Sequence, residues 1–192
     1  MKKILLISIF ILVSALSAQA NEIKRIFVGN ESAKISIIAF ESLTCSHCAN
    51  FHKDVYPLLK KEYLDTGLAK IEFRHFPLDI AAFNASKVAQ CKNDGNSEIP
   101  ESWYANQQKW EKRSSIEESN INLQKFLSKE GFKIDFESCI NNKQIEDFVL
   151  NDRIDGAKNF KVNATPTIII NNKKFEKTLN YKNLKKALEK LI

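Results

Sequence analysis

The chain has 192 residues, is 44% hydrophobic and carries a formal net charge of +6. That length supports one domain with a good core. Its Lys and Arg residues are spread along the chain among acidic ones, which reads as a solvated surface and argues against nucleic-acid binding.

The first stretch is read apart from the fold. Met1-Lys2-Lys3 is basic, Ile4–Val13 (ILLISIFILV) is an apolar run too short to span a bilayer, and Ala18-Gln19-Ala20 is a small-residue cleavage site. This predicts a secretory signal peptide over residues 1–20 and a mature chain from Asn21. No other stretch reads as a membrane span, so the mature chain is expected to be exported and not membrane-embedded. Export would put all four cysteines, Cys45, Cys48, Cys91 and Cys139, where disulfides persist.

Asn21–Gly29 reads as a short edge strand closed by a Gly29-Asn30 turn. Ala33–Glu41 is the first core strand, β-branched and apolar through Ser36–Phe40. Thr44 is the expected N-cap of the next helix. From Cys45, the residues Cys48, Phe51, Val55, Leu58 and Leu59 recur at helical spacing to about Lys61, with a kink expected at Pro57. After an Asp65-Thr66-Gly67 turn, Leu68–Phe76 alternates as a second core strand. A crossover of this length implies parallel pairing and a right-handed connection.

A polar, helix-prone region follows at about 79–159, with helices expected over Asp79–Lys92, Glu101–Lys112 (opened by Pro100), Ser119–Lys129 and Asn142–Phe160. No linker, repeat or low-complexity tract sets it apart, so it reads as a helical insertion packed on the same sheet. The chain then returns through Ala164-Thr165-Pro166-Thr167 to the strand Ile168–Ile170, an Asn171-Asn172 hairpin turn, Lys173–Phe175 and a closing helix Tyr181–Leu191. The fold class is α/β: a central mixed sheet flanked by helices.

The chemistry gathers at Cys45-Ser46-His47-Cys48, where a buried strand runs into a helix. A helix N-terminus offers unpaired N–H groups and partial positive charge, which stabilise a thiolate and lower a cysteine's pKa to about 3.5–7.5 in such motifs. His47, when protonated, adds a second positive charge. Cys45, at the exposed end, is the attacking or attacked sulfur, and Cys48, one turn in, is the resolving one. A zinc site would need four ligands. Cys91, Cys139, His52 and His75 are available, but no second closely spaced pair occurs. Cys91 and Cys139 read as a structural bridge, with a second redox pair or free thiols as the alternatives. His52 and His75 read as ordinary surface or packing histidines. Trp103 and Trp110 read as packing residues on one helix face. Glu41 is either a buried acid with a raised pKa or an exposed charge at a strand end.

The exported CxxC at a helix start, the helical insertion, Thr165-Pro166 before a strand, Arg74-His75-Phe76-Pro77-Leu78 and Gln90-Cys91 together resemble the DsbA-like branch of the thioredoxin superfamily. The resemblance covers essentially all of the chain from Asn21. It implies a bacterial periplasmic protein thiol:disulfide oxidoreductase with no cofactor and no metal. Cys45 would form the mixed disulfide and Cys48 resolve it, with Ser46 and His47 tuning the potential. Pro166 would be a cis-proline facing the disulfide, and Thr165 would offer its backbone to an extended substrate segment. The implied partners are newly exported or unfolded proteins with free thiols and a membrane redox partner of the DsbB kind. The chain departs from the family pattern twice. Ala39 stands where many relatives carry an acid beneath the disulfide, with Glu41 two residues on as a substitute proton relay. Ser46 stands where strong oxidants carry proline. The alternatives are a disulfide reductase or isomerase, and a non-catalytic chaperone or metal-binding thioredoxin-fold protein.

Overall fold

The computed structural model describes residues 22–111 and 115–192. The expected signal peptide lies outside the described residues. Among those residues, strands β1 (Ile26–Gly29), β2 (Ile35–Glu41), β3 (Ala69–His75), β4 (Thr167–Ile170) and β5 (Lys173–Lys174) form one mixed sheet. Their spatial order is β1-β3-β2-β4-β5.

The central strand shows why the order is fixed. β2 is apolar on both faces, as a strand covered from both sides must be. Ile35, Ile37 and Ala39 face one core, and Ile38 and Phe40 face another. β2 pairs with β3 in parallel, from Ile35 opposite Ala69 to Glu41 opposite His75. β4 pairs antiparallel with the other edge of β2. The turn into β5 is built by Asn171 and Asn172 at φ of 44° and 65°, the left-handed pair that tight hairpins require. Both sheet edges are blunted. The outward Phe27 N–H of β1 donates to the Gly95 carbonyl at 3.0 Å, and β5 is only two lysines long.

The long helix expected from Cys45 is broken into pieces. α1 spans Ser46–Asp54, α2 spans Tyr56–Leu59, and a π-helical turn covers Lys60–Leu64. The break falls at Val55, and Pro57 sits in the first turn of α2, where its missing N–H costs nothing. Leu58, expected on the apolar face, is exposed for the same reason: after the break it no longer shares a face with Phe51. Phe51, Tyr56, Leu59 and Tyr63 pack on the sheet with Leu184 and Leu188 of α9 (Tyr181–Leu188).

The insertion contains α3 (Ile80–Cys91), α4 (Glu98–Ala105), α5 (Gln107–Trp110), α6 (Ile116–Lys129), α7 (Phe136–Ile140) and α8 (Lys143–Asn159). The single helix expected over Glu101–Lys112 is instead the two short helices α4 and α5. Trp103 and Trp110 therefore lie on different helices, and Trp110 Nε1 donates to the Trp103 carbonyl at 3.1 Å. Side chains of Asp79, Ser115, Asp135 and Asn142 cap α3, α6, α7 and α8. α8 covers the face of the sheet opposite α9. It comes close because residue 156 is glycine: a Cβ there would stand 2.8 Å from the Phe40 ring.

The insertion has its own apolar core, made of Val88, Ile99, Trp103, Trp110, Leu123, Phe126 and their neighbours. Cys91 and Cys139 are bridged, which joins the end of α3 to α7 inside this core. Leu43 and Cys48 belong to the same core, so the CxxC turn sits at the seam between insertion and sheet.

Candidate redox site

The turn that delivers Cys45 is tied down from both sides of that seam. The Cys45 N–H donates to the Ser42 carbonyl at 3.0 Å, closing a turn directly after β2. Thr44 is not the N-cap of α1. That position is taken by Cys45, in an extended conformation and with no side-chain oxygen bonded to the first-turn amides. Thr44 is buried and its hydroxyl donates to Asp79 at 2.8 Å, linking the turn to the capping residue of α3. From the insertion, the Gln107 side-chain amide donates to the carbonyls of Leu43 at 2.8 Å and Cys45 at 3.1 Å.

Because no oxygen caps α1, its first amides face sulfur. The two thiols are unbridged, with Cys45 half-buried and Cys48 buried. The Cys45 thiol is lowered from 9.0 to about 5. The hydrogen bond from the Cys48 thiol is the main cause; the Thr165 hydroxyl and the backbone N–H groups of Cys48 and His47 add to it against partial burial. Cys48 moves the other way. Burial pushes its thiol up, the Cys45 hydrogen bond adds to that, and the Glu41 carboxylate opposes its ionisation by charge. Two sulfurs one helical turn apart are thus driven to opposite protonation states.

The Thr165–Pro166 peptide bond is cis. The Cys45 thiol donates to the Thr165 carbonyl at 3.3 Å, while the Thr165 hydroxyl is buried with no hydrogen-bond partner and is free to turn toward a thiolate. The carbonyl suits the thiol and the hydroxyl suits the thiolate, so Thr165 serves both protonation states. His47 is exposed and lines a groove of about 500 Å³ with Phe51, Thr165, Pro166 and Tyr181. The structure therefore brings Cys45, Cys48, His47, Thr165 and Pro166 to one place. Cys91 and Cys139 pack in the same core as Cys48 but are bridged to each other.

Glu41 is buried at the end of β2, and His52 of α1 packs beside it among Phe51, Tyr56, Phe73 and Tyr104. His52 Nε2 lies 2.9 Å and 3.1 Å from the two Glu41 carboxylate oxygens, and each side chain is 6% exposed. The signal for His52 was present in the sequence: it follows Cys48 by four residues and so shares its helix face. Gln107 carried no such signal, because its position depends on the fold of the insertion. His75 is buried and hydrogen-bonded to Gln90 at 3.2 Å, and desolvation lowers its pKa. Among the described residues, no group of three or more His, Cys, Asp or Glu residues could hold a metal ion. No helix among them is long and apolar enough to cross a membrane.

A mixed sheet with a low-pKa cysteine at a helix start, opposite a cis-proline loop, defines a thioredoxin-fold redox protein. The family model described as Thioredoxin matches residues 21–190, and the chain belongs to that family. It is similar to the crystal structure of Wolbachia pipientis alpha-DsbA1, with a TM-score of 0.77, 29% identity and 87% of this chain matched to 90% of that one. It is 27% identical to disulfide bond formation protein D of Bacillus subtilis over 85% of this chain and 75% of that protein. A Rickettsia typhi protein with a provisional protein-disulfide oxidoreductase name is 28% identical over 86% of this chain. The chain spans only 61% of that relative's length.

Proposed function

We propose that this chain is an exported thiol:disulfide oxidoreductase that forms disulfide bonds in periplasmic proteins through Cys45 and Cys48. The observation that carries the reading is the split between the two sulfurs: Cys45 lowered to about 5, Cys48 held as a thiol. A thiolate stabilised in the reduced pair makes the reduced form the favoured one, and so makes the pair an oxidant. The names of the relatives and the DsbA structures support the same chemistry.

In the oxidised pair, a substrate thiolate attacks Cys45 Sγ. The Cys45–Cys48 bond breaks, a substrate–Cys45 disulfide forms, and Cys48 leaves as a thiolate that takes up a proton. Glu41, whose charge opposes a Cys48 thiolate, is the proposed relay for that proton. A second substrate thiolate then attacks the substrate sulfur, and Cys45 departs as the stabilised thiolate. Two electrons pass from the substrate dithiol to the pair. Thr165 holds the extended substrate segment by its backbone, beside Pro166. His47 lies at the exposed end, in the groove beside Thr165 and Pro166. Newly exported proteins supply the thiols, and a quinone-linked membrane partner of the DsbB kind removes the electrons. The apolar leader before Asn21 supports export to the periplasm.

The first experiment is equilibration of the Cys45–Cys48 pair with a glutathione buffer, with Cys91 and Cys139 followed separately. A potential near about −120 mV, where DsbA itself lies, is expected; one near about −270 mV would mean a reductant. Cys45→Ala should abolish exchange, and retained exchange would overturn the assignment.

A further inference from the structure

We infer that the lysine-rich edge formed by β5, α9 and the end of α8 is a docking surface for an anionic phospholipid membrane. The inference goes beyond the redox chemistry proposed above and takes from that reading only the export step.

Counted by position, the charge of the chain is uneven. Residues 158–192 carry nine lysines against two acids, Glu176 and Glu189, a formal charge of +7. Residues 22–157 carry eighteen basic side chains against twenty-one acids, a formal charge of −3. Such an asymmetry is the compositional mark of a face that meets a polyanion.

The fold gathers these lysines. Lys174 of β5 donates from Nζ to the Lys161 carbonyl at 3.3 Å, and Lys161 donates to the Lys158 carbonyl at 2.8 Å, so the end of α8 lies beside the sheet edge. On the other side of that edge, Phe175 and Leu179 pack against the core that takes Leu184 and Leu188 of α9. That leaves Lys182 and Lys186, one turn apart, on the opposite, exposed face of α9, with Lys190 in the turn beyond. Among the described residues, Lys185 alone of the nine has an acidic partner, Glu62 at 2.7 Å. The fold gains nothing from this arrangement. Like charges at the spacing of Lys182 and Lys186 repel. Edge protection accounts for Lys173 and Lys174, but not for the lysines of α8 and α9.

Two observations select a membrane among polyanions. The face is built from lysine, with no arginine and no exposed aromatic ring on which a base could stack. Lys190 is followed by Leu191 and Ile192, which are 41% and 72% exposed. Lysines beside exposed apolar side chains suit the headgroup layer: the ammonium groups meet phosphate while the apolar groups enter the acyl boundary. Export would leave the protein beside such a bilayer. α9 also starts at the redox groove, since Tyr181 lines it with His47, Thr165 and Pro166. A molecule resting on the basic edge keeps that groove beside the membrane surface, and a partner embedded there would be found by a search in two dimensions.

The test is flotation of the exported form of the chain with vesicles of phosphatidylethanolamine and phosphatidylglycerol, against vesicles of phosphatidylcholine alone. Wild type is expected to float with the first and not the second, and to be released as salt is raised, because screening shortens the reach of exposed charges. Lys173→Glu, Lys177→Glu, Lys182→Glu and Lys186→Glu made together should weaken binding by about a hundredfold or more, at about fivefold for each lysine lost. A control of equal net charge, with Lys109→Glu, Lys125→Glu, Lys129→Glu and Lys133→Glu on the exposed surface of the insertion, should keep most of the wild-type affinity. Equal loss in both variants, binding to both kinds of vesicle, or no flotation of wild type overturns the inference. Tighter binding to polyglutamate than to the anionic vesicles in the same salt would assign the face to an acidic protein chain, and overturns it too. If the fourfold edge variant does not fold by circular dichroism, Lys182→Gln with Lys186→Gln takes its place and should cost about twentyfold. Flotation needs no redox chemistry, so its failure leaves the oxidoreductase reading standing, and failure to exchange with glutathione leaves this inference standing.

Discussion

The Cys45 thiol is lowered from 9.0 to about 5, and this has consequences for stability as well as reactivity. A depressed folded pKa stabilises the fold above the unfolded value, and that contribution is lost as pH falls through the folded one. Reduced protein should therefore lose denaturant resistance relative to oxidised protein as pH is lowered from 9 to 5, since a bridged Cys45 cannot ionise. Cys48, raised by burial, stays a thiol in the fold across that window and opposes the trend only near pH 9, where the unfolded thiol begins to ionise. Paired urea titrations of the two redox forms check the sign. Thr165→Val should raise the Cys45 pKa, because it removes a hydroxyl that stabilises the thiolate and keeps the backbone carbonyl. A thiolate absorbance titration reads this directly. At this scale the sequence was informative about Cys45 and Cys48, because a CxxC at a strand-to-helix junction is a local pattern. It was silent about Gln107, and the character of His52 depended on a strand residue eleven positions away in sequence.

At the scale of elements, two of the contacts between the insertion and the sheet carry predictions. Gln107 satisfies the Leu43 and Cys45 carbonyls from α5. Gln107→Ala leaves both buried or half-buried acceptors without that donor and should cost about 1–3 kcal/mol in chemical denaturation. Gly156 lets α8 lie against Phe40, and Gly156→Ala should cost about 1–3 kcal/mol by overpacking, whatever the gain in helix propensity. A neutral or stabilising result would mean that Phe40 can turn aside. The strands and their order of appearance were legible because β2 and β3 are strongly patterned. The helix after Cys45 and its interruption near Pro57 were legible too, but the break at Val55 and the closing π-turn were not, because the side-chain spacing there no longer follows 3.6 residues. α7 was missed because five residues give less than two turns of periodicity.

For the molecule as a whole, the Cys91–Cys139 bridge closes a separation of 48 residues within the insertion. Removing both cysteines as alanine should cost about 4 kcal/mol in the chain-entropy picture, measured by the shift in denaturation midpoint. That the two cysteines pair was legible from their number and the leader. That they bridge α3 to α7 was not, because α7 was unseen. The two edges of the sheet carry a different consequence. An enzyme of the proposed kind meets client chains before they have folded, when their strands are unpaired and seek any open ladder. Here one edge is occupied by Gly95 and the other ends in Lys173 and Lys174. In the proposed function the backbone of Thr165 would be the place where a client lies alongside, and contact there would also bring it to Cys45. An enzyme so built would meet aggregation-prone chains without its own sheet edges seeding their growth.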